Sequence, residues 1–277
     1  MRWSEACLLA LLANPAWAIE GYVVGGGIES DDGDGTGIAA FTDIGLSEKT
    51  RFSLLFGKNN IDLPSGINLN TAYGDIGIDH YFEPVGLRME VAYWGDNDIF
   101  DSIDGRGSLY WRNDKLMVSA DLEYRDFEFD IFRNDLVAGQ DIRFHAKGYG
   151  LSSRFRLSEN VSLNLRGINY DYNVDLRVDG NRRILELLSV SRLSLINSLV
   201  SYRVSAGVGI NIGDNVLSFS YANWQGEVDG SKTNSSTMRF LTPLGRSGDI
   251  EFGIGVDDSD AYGSITFFSV YLYFYGN

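Results

Sequence analysis

The sequence predicts an all-β chain: a transmembrane, antiparallel, up-and-down β-barrel of about fourteen strands, with twelve or sixteen strands as alternatives. Three observations lead to this fold class. Apolar and polar residues alternate along most of the chain, short and long breaks between these stretches also alternate, and an export signal precedes them. Glycine is abundant (32 of 277 residues) and aromatic residues make up 13% of the chain, a composition that suits strands better than helices.

The first eighteen residues predict a cleaved secretory signal peptide. The short apolar run Ala6–Ala13 follows a basic start, Pro15 interrupts it, and Ala16–Ala18 ends it with an Ala-x-Ala cleavage site. This run is too short for a transmembrane helix, which needs about 20 residues. A buried N-terminal helix is the alternative, but it gives Pro15 no role. We therefore expect a signal peptide at 1–18 and a single barrel domain at 19–277.

Composition excludes several classes of function. The formal net charge of −15 argues against nucleic acid as a partner, because binding phosphates requires a basic face. The single cysteine, Cys7, lies in the predicted signal peptide, so a disulfide framework and cysteine-based metal sites are excluded. Two histidines are too few for a histidine-rich metal site. We expect no cofactor.

Period-two alternation is clearest in Ser198–Gly213. Every second residue from Val200 to Ile212 is apolar, and polar or small residues occupy the positions between them. This stretch exceeds the ~9–11 residues that a tilted strand needs to cross the hydrocarbon layer. In two other stretches the alternation changes phase, near Gly148 and near Gly167. A β-bulge at each glycine would cause this, and the alternative is that these strands project above the membrane.

The breaks between strands fall into two kinds that alternate along the chain, which is typical of a barrel with tight turns on one side and larger loops on the other. The short breaks are Leu46–Lys49, Glu83–Gly86, Asn113-Asp114, Ser158–Asn160, Gly213–Asn215 and Gly245–Gly248. The longer, more acidic breaks are Glu29–Gly35, Lys58–Asn68, Gly95–Asp104, Ile131–Gln140, Asp179–Asn197, Gly226–Asn234 and Asp257–Asp260. Six turns and seven loops give fourteen strands, with both termini on the turn side. Arg182–Leu199 has no clean period and is interpreted as the end of a strand followed by a structured loop that could plug the barrel.

The C-terminal segment Ser264–Asn277 resembles the aromatic closing strand of Gram-negative outer-membrane β-barrel proteins of the porin-like kind. The resemblance covers the whole chain after residue 18 as a pattern, and only the last dozen residues as a motif. It departs from the family in ending with Gly276-Asn277 after Tyr275, where an aromatic residue is usual. The resemblance implies location in the bacterial outer membrane, contact with its lipid and lipopolysaccharide, and recognition of this strand by the barrel assembly machinery.

Charged residues in the polar phase of the strands are the candidate lining of the lumen. They could form a charged constriction that sorts solutes, or a salt-bridge network that stiffens the wall. The candidates are Arg88, Glu90, Asp121, Glu123, Arg143, His145, Lys147, Arg154, Arg156, Arg166 and Arg203. Asp121 and Glu123 are expected to face Arg143 and Lys147 on the adjacent strand.

A search for catalytic and metal motifs finds no established pattern. His80 is interpreted as a residue at the membrane interface, and a serine partner for His145 (Ser152 or Ser153) would lie too far along the same strand. Three acidic residues in a glycine-rich loop, Asp31, Asp32 and Asp34, resemble half of a calcium loop, and a solvated acidic loop explains them as well. We therefore expect no enzyme.

The leading functional prediction is a porin-like passive channel for small hydrophilic solutes. Acidic loops would raise the concentration of cations at its mouth, although the basic lumen residues oppose this effect. A non-conducting barrel that binds a surface ligand or has a structural role is the first alternative. A barrel enzyme that acts on lipids is the second.

Overall fold

The computed structural model describes residues 20–33, 35–62, 68–96, 100–130, 141–173, 199–227, 229–261 and 263–276. They form fourteen antiparallel strands that close into one barrel, which confirms the predicted fold class and strand number. The strands are β1 (Gly21–Asp31), β2 (Thr36–Ser47), β3 (Thr50–Asp62), β4 (Asn68–Tyr81), β5 (Val85–Asp96), β6 (Phe100–Arg112), β7 (Leu116–Asp130), β8 (Asp141–Arg156), β9 (Val161–Tyr172), β10 (Val200–Ile212), β11 (Asn215–Gly226), β12 (Lys232–Pro243), β13 (Gly248–Ser259) and β14 (Gly263–Gly276). The predicted signal peptide at 1–18 lies outside the described residues.

The barrel closes through its first and last strands. β1 pairs with β14 from Tyr22 opposite Gly276 to Asp31 opposite Phe267, and each other strand pairs with its neighbours in sequence. Closure leaves no strand edge unpaired, as a barrel in lipid requires. The described residues contain no helix that is long and apolar enough to cross a membrane.

Six short turns lie at one end of the barrel, as predicted. Gly213 and Gly245 in two of them have φ angles of 62° and 80°, a left-handed conformation in which glycine avoids the steric cost of a side chain. The seven loops join the strands at the other end. Four of them, at 63–67, 97–99, 131–140 and 174–198, lie outside the described residues, and so does the predicted plug except Leu199.

Side chains alternate between the two faces of the wall. Leu122 is 58% exposed and points outward, whereas its neighbour Glu123 is 9% exposed and points into the lumen. The outer face carries most of the large exposed apolar residues, such as Met89, Val91 and Leu151. An apolar outer face and a polar inner face are the arrangement of a transmembrane barrel.

The structure corrects the predicted bulges at Gly148 and Gly167. β8 and β9 pair without interruption, with Gly148 opposite Tyr170 and Gly167 opposite Leu151. Register shifts occur instead between Gly45 and Ser47 of β2 and at the start of β10. The apolar pattern changes phase because the interior itself becomes apolar near the loops.

The length of β7 and β8 explains why the outer face of these strands is polar near the loops. These strands contain 15 and 16 residues. At ~3.4 Å per residue and a tilt of ~40°, such a strand rises roughly 40 Å, which exceeds an apolar band about 25 Å tall. The loop ends of these strands therefore project beyond the apolar band, as the alternative interpretation held.

Several loops are shorter than predicted because strands extend into them. Glu29–Asp31 belongs to β1, and Phe100–Asp104 belongs to β6. Three acidic residues of these segments, Glu29, Asp31 and Asp104, face the lumen, so they follow the strand period although they are acidic. Using acidic composition alone therefore overestimated the length of the loops.

Candidate functional site in the barrel lumen

The strand register places most of the predicted lumen residues on the inner face. Buried neighbours in the same phase fix this orientation: on β7, for example, Ser119, Asp121, Glu123 and Arg125 are all less than 10% exposed. The predicted residues on this face are Arg88, Glu90, Asp121, Glu123, Arg154, Arg166 and Arg203, and Arg156 shares their phase at the turn end.

The structure overturns the prediction for Arg143, His145 and Lys147. On β8 the inward phase belongs to Phe144 and Ala146, which are 4% and 0% exposed, so the three charged residues face outward. Arg143 pairs with Glu128 at 2.7 Å on the outer face. The prediction assumed that apolar residues face outward along the whole strand, and this fails where the strand leaves the apolar band.

Asp121 and Glu123 consequently face other partners than predicted. Gly150 and Gly148 of β8 stand opposite them, and both are too small to fill the lumen there. Arg166 of β9 reaches across β8 to both carboxylates, at 3.8 Å from Asp121 and 3.4 Å from Glu123. The acidic pair and its basic partner are thus separated by β8, which places only Gly148 and Gly150 opposite the two carboxylates.

Arg106 of β6 is the centre of the ion-pair network, and sequence reasoning missed it. Its guanidinium lies 3.1 Å from Asp104 and 3.4 Å from Asp75, and it donates a 3.3 Å hydrogen bond to the Tyr73 hydroxyl. Asp104 also pairs with Arg125 at 3.3 Å, and both of these side chains are fully buried. Asp104 was assigned to a loop, but its spacing of two from Arg106 and of four from Ser108 is the signal that could have found it.

Two hydroxyl groups complete the hydrogen bonding of Asp121. Ser108 and Ser119 donate to the same carboxylate oxygen at 2.6 and 2.9 Å. Ser119 also shares a 2.6 Å hydrogen bond with Ser152 on β8. Paired charges and satisfied acceptors make this side of the wall rigid.

Two cavities lie against this network inside the barrel. The larger, of about 260 Å³, reaches from Leu55 of β3 to Arg203 and Ser205 of β10. The smaller, of about 150 Å³, lies closer to the turns, between Arg88 and Ser152. Residues common to both linings are Glu90, Arg106, Glu123 and Arg166.

An apolar layer fills part of the lumen at the loop end. Its rings pack in pairs. Trp94 lies tilted against Phe100 with centroids 4.6 Å apart, and Phe127 stacks on Phe144 at 4.9 Å. Its members are Trp94, Phe100, Phe127, Phe144, Ala146, Ile168, Tyr170, Leu199, Val200, Ala222 and Trp224. We call these residues the apolar layer.

The wall of β12, β13, β14 and β1 has a different character. Its described inner face carries the carboxylates of Glu29, Asp31, Asp249, Glu251 and Asp257. Arg239 is 3.9 Å from Glu251, and Tyr271 donates a 2.7 Å hydrogen bond to Glu29. We call this surface the acidic wall.

The metal and catalytic candidates that the structure describes are not assembled into a site. Asp31 accepts hydrogen bonds from the Gly33 and Gly35 amides, Asp32 accepts one from the Thr266 amide, and Asp34 lies outside the described residues. Within the described ranges, no group of three potential metal ligands is close enough to hold an ion. His145 stacks on Tyr124 outside the barrel and Ser152 faces inward, so the two cannot react together.

His80 lies where an interfacial residue was predicted. It is on the outer face of β4, beside the turn to β5, and bonds the Thr50 hydroxyl at 2.8 Å. Its ring contacts Phe82 with centroids 4.4 Å apart. On the inner face near the same turn, Arg112 packs 3.6 Å over the ring of Tyr81.

Comparison with known proteins identifies the fold and no closer relationship. No known protein family and no curated protein matches the chain. Among solved structures, a loop-deletion variant of OmpT, an outer membrane protein of Vibrio cholerae, matches with a TM-score of 0.52 and 8% identity over 94% of this chain and 99% of that one. The Pseudomonas putida toluene transporter TodX matches with a TM-score of 0.50 and 10% identity over 96% and 92%. The chain has the fold of these outer-membrane barrels. The KdgM porin is a more distant match, with a TM-score of 0.46, 9% identity and coverage of 91% and 98%.

Proposed function

We propose that the protein is a porin-like passive channel for small hydrophilic solutes in the outer membrane of a Gram-negative bacterium. The observation that carries this proposal is the cavity of about 260 Å³, which lies inside a closed barrel and is lined by six charged side chains. A fourteen-stranded barrel is intermediate between small barrels filled by side chains and porins of 16–18 strands with aqueous channels, so a narrow pore fits this size.

The lumen charges would form the constriction of this channel. Arg88, Glu90, Asp121, Glu123, Arg154, Arg166 and Arg203 line the inner face. The buried network around Arg106 holds one side of the wall in place, while the acidic wall remains sparsely paired. Fixed charges at close quarters sort solutes by charge as well as by size.

Reconstitution in a planar lipid bilayer tests the channel. The refolded protein should produce discrete conductance steps, and liposomes that contain it should swell in isotonic solutions of small sugars. Protein left unfolded in urea and diluted into the same bilayer serves as the control. Folded protein that gives neither steps nor swelling would overturn the proposal.

A non-conducting barrel is the second candidate, and the apolar layer favours it. Eleven apolar side chains pack at the loop end of the lumen. A surface-binding or structural barrel needs no water path, so such packing would cost it nothing. Replacing Phe127 and Phe144 together with alanine distinguishes the two: the channel predicts conductance before and after the change, whereas the non-conducting barrel predicts conductance only after it.

Location in the outer membrane also suggests two partners, the barrel assembly machinery and lipopolysaccharide. We propose that the assembly machinery recognises β14, whose outer face presents Phe268, Leu272 and Phe274. We also propose that Arg143 and Lys147, above the apolar band, contact phosphates of lipopolysaccharide. The lipid-acting enzyme has no support from the geometry of His145, and we favour a protein without catalytic activity.

A further inference from the structure

Arg203 differs from the other arginines that line the larger cavity. Arg106 and Arg166 each lie within 4.0 Å of carboxylates. Arg203 forms no ion pair with the described residues, and its Nε and one terminal nitrogen are buried without a hydrogen-bond partner there. A buried guanidinium without a partner is costly, so its presence requires an explanation, and a bound ligand is one.

The surroundings of Arg203 strengthen its attraction for an anion. On β10 it stands between Ile168 of β9 and Trp224 of β11, both less than 7% exposed. Apolar neighbours lower the local dielectric constant, so a charge at this position interacts more strongly than in water. A guanidinium presents two parallel N–H groups, which match the two oxygens of a carboxylate.

Glu90 provides the opposite charge in the same cavity. It lies on β5, five strands from Arg203 around the wall. Its contact with a cation among the described residues is at the limit of an ion pair, 4.0 Å from Arg88 Nε. Arg88 itself is held by Asp79 at 2.9 Å, and Arg106, opposite Glu90 in register, is held by Asp75 and Asp104. Glu90 is therefore available for another cation.

The remaining charged groups of the cavity are already engaged. Asp75 bonds Tyr73 and Arg106, while Glu123 bonds Tyr170 and Arg166. This leaves one cationic and one anionic group, Arg203 and Glu90, open to a ligand. The cavity of about 260 Å³ has room for roughly nine water molecules, which corresponds to a small solute.

We propose that this cavity is a binding subsite for small zwitterions, with the carboxylate on Arg203 and the ammonium group on Glu90. The proposal rests on the proposed function, because it names the class of solute that the channel would hold. A solute with one charge would satisfy only one end of the site. A zwitterion satisfies both and enters without net charge.

Three probes with the same three-carbon skeleton separate the two ends: β-alanine, propionate and propylammonium. Their binding to the detergent-folded protein is measured by saturation-transfer NMR titration. We expect β-alanine to bind at least about tenfold more tightly than either of the others. Arg203→Met should reduce the affinity for β-alanine to that for propylammonium, and Glu90→Gln should reduce it to that for propionate. Arg203→Lys keeps the charge without the paired N–H groups and should give an intermediate affinity.

Arg239→Met is the matched control, because it removes a lumen arginine that does not line this cavity, and binding should be unchanged. Equal binding of propionate and β-alanine, or normal β-alanine binding by Arg203→Met, would overturn the proposal. Failure of all three probes to bind the wild-type protein would overturn it as well. Binding is measured without a membrane potential, so a protein that binds β-alanine but conducts nothing would refute the channel and leave the subsite standing.

Discussion

Tyr170 donates a 2.6 Å hydrogen bond to Glu123 across an intervening strand. The two residues lie on β9 and β7, and Gly148 of β8 stands between them in register. The ring of Tyr170 lies directly over Gly148, where a methyl group would be 2.8 Å from the nearest ring carbon. The glycine that the sequence analysis assigned to a bulge therefore permits a side chain to cross a strand.

Replacing Gly148 with alanine should displace the Tyr170 ring and weaken its hydrogen bond to Glu123. Hydrogen bonds to charged groups contribute about 1.5–3 kcal/mol, so we expect the free energy of unfolding to fall by about 1–2 kcal/mol. Urea unfolding in lipid vesicles measures it. Gly105→Ala is the control, because nothing lies within 4 Å of the added methyl group there. Equal effects at both sites would contradict the role of Gly148.

Replacing Arg106 with methionine should destabilise the barrel strongly. Among the described residues, the change leaves Asp75 with Tyr73 as its hydrogen-bond partner, and it removes one of the two cationic partners of the fully buried Asp104. Loss of one member of a buried ion pair costs about 3–5 kcal/mol, and we expect about 3 kcal/mol because Arg125 remains. The same unfolding measurement should show a loss of at most about 1 kcal/mol for Arg51→Met, whose pair with Asp43 is exposed. A similar loss in both variants would refute the importance of burial.

The number of strands and the end of the barrel that carries the short turns could be predicted because both depend on local chemistry. Alternation of side chains follows from the geometry of a strand, and turn residues such as Gly213 and Gly245 need only their own backbone conformation. The ends of the strands could not be predicted as well, because acidic residues such as Glu29 and Asp104 occur both in loops and on a polar inner face.

The inner face was predictable only while the outer face met lipid. Arg166 and Arg203 were placed in the lumen because their apolar neighbours point outward. Beyond the apolar band, the same reasoning placed His145 inside and Phe144 outside, the reverse of the structure. The exchange of apolar and polar faces depends on how far β8 projects beyond the apolar band and on the apolar layer contributed by other strands. Neither can be predicted from the sequence of β8 alone.

Removing carboxylates from the acidic wall should reduce preference for cations. Glu29 and Glu251 face the lumen with Arg239 as the nearby cation, so the wall attracts positive ions. In a bilayer with a tenfold KCl gradient, the double variant Glu29→Gln, Glu251→Gln should shift the reversal potential toward anion permeation. Glu128→Gln, on the outer face beside Arg143, should leave the potential unchanged. An unchanged potential in the double variant would show that ions do not pass along this wall.

An arginine in the middle of the outer face should impair folding in a bilayer, whereas one above the apolar band should not. Met89 is 53% exposed and lies at the centre of the outer face of β5, with Leu87 and Val91 on either side. Arginine at the membrane midplane costs a barrel about 2–4 kcal/mol, so Met89→Arg should lower the free energy of unfolding in vesicles by that amount. His145→Arg adds a charge of the same kind to the outer face of β8 beyond the apolar band, and its cost should stay below about 1 kcal/mol because the side chain meets water. A large cost at His145 would mean that the apolar band reaches the loop end of β8, which would place the whole barrel differently in the membrane.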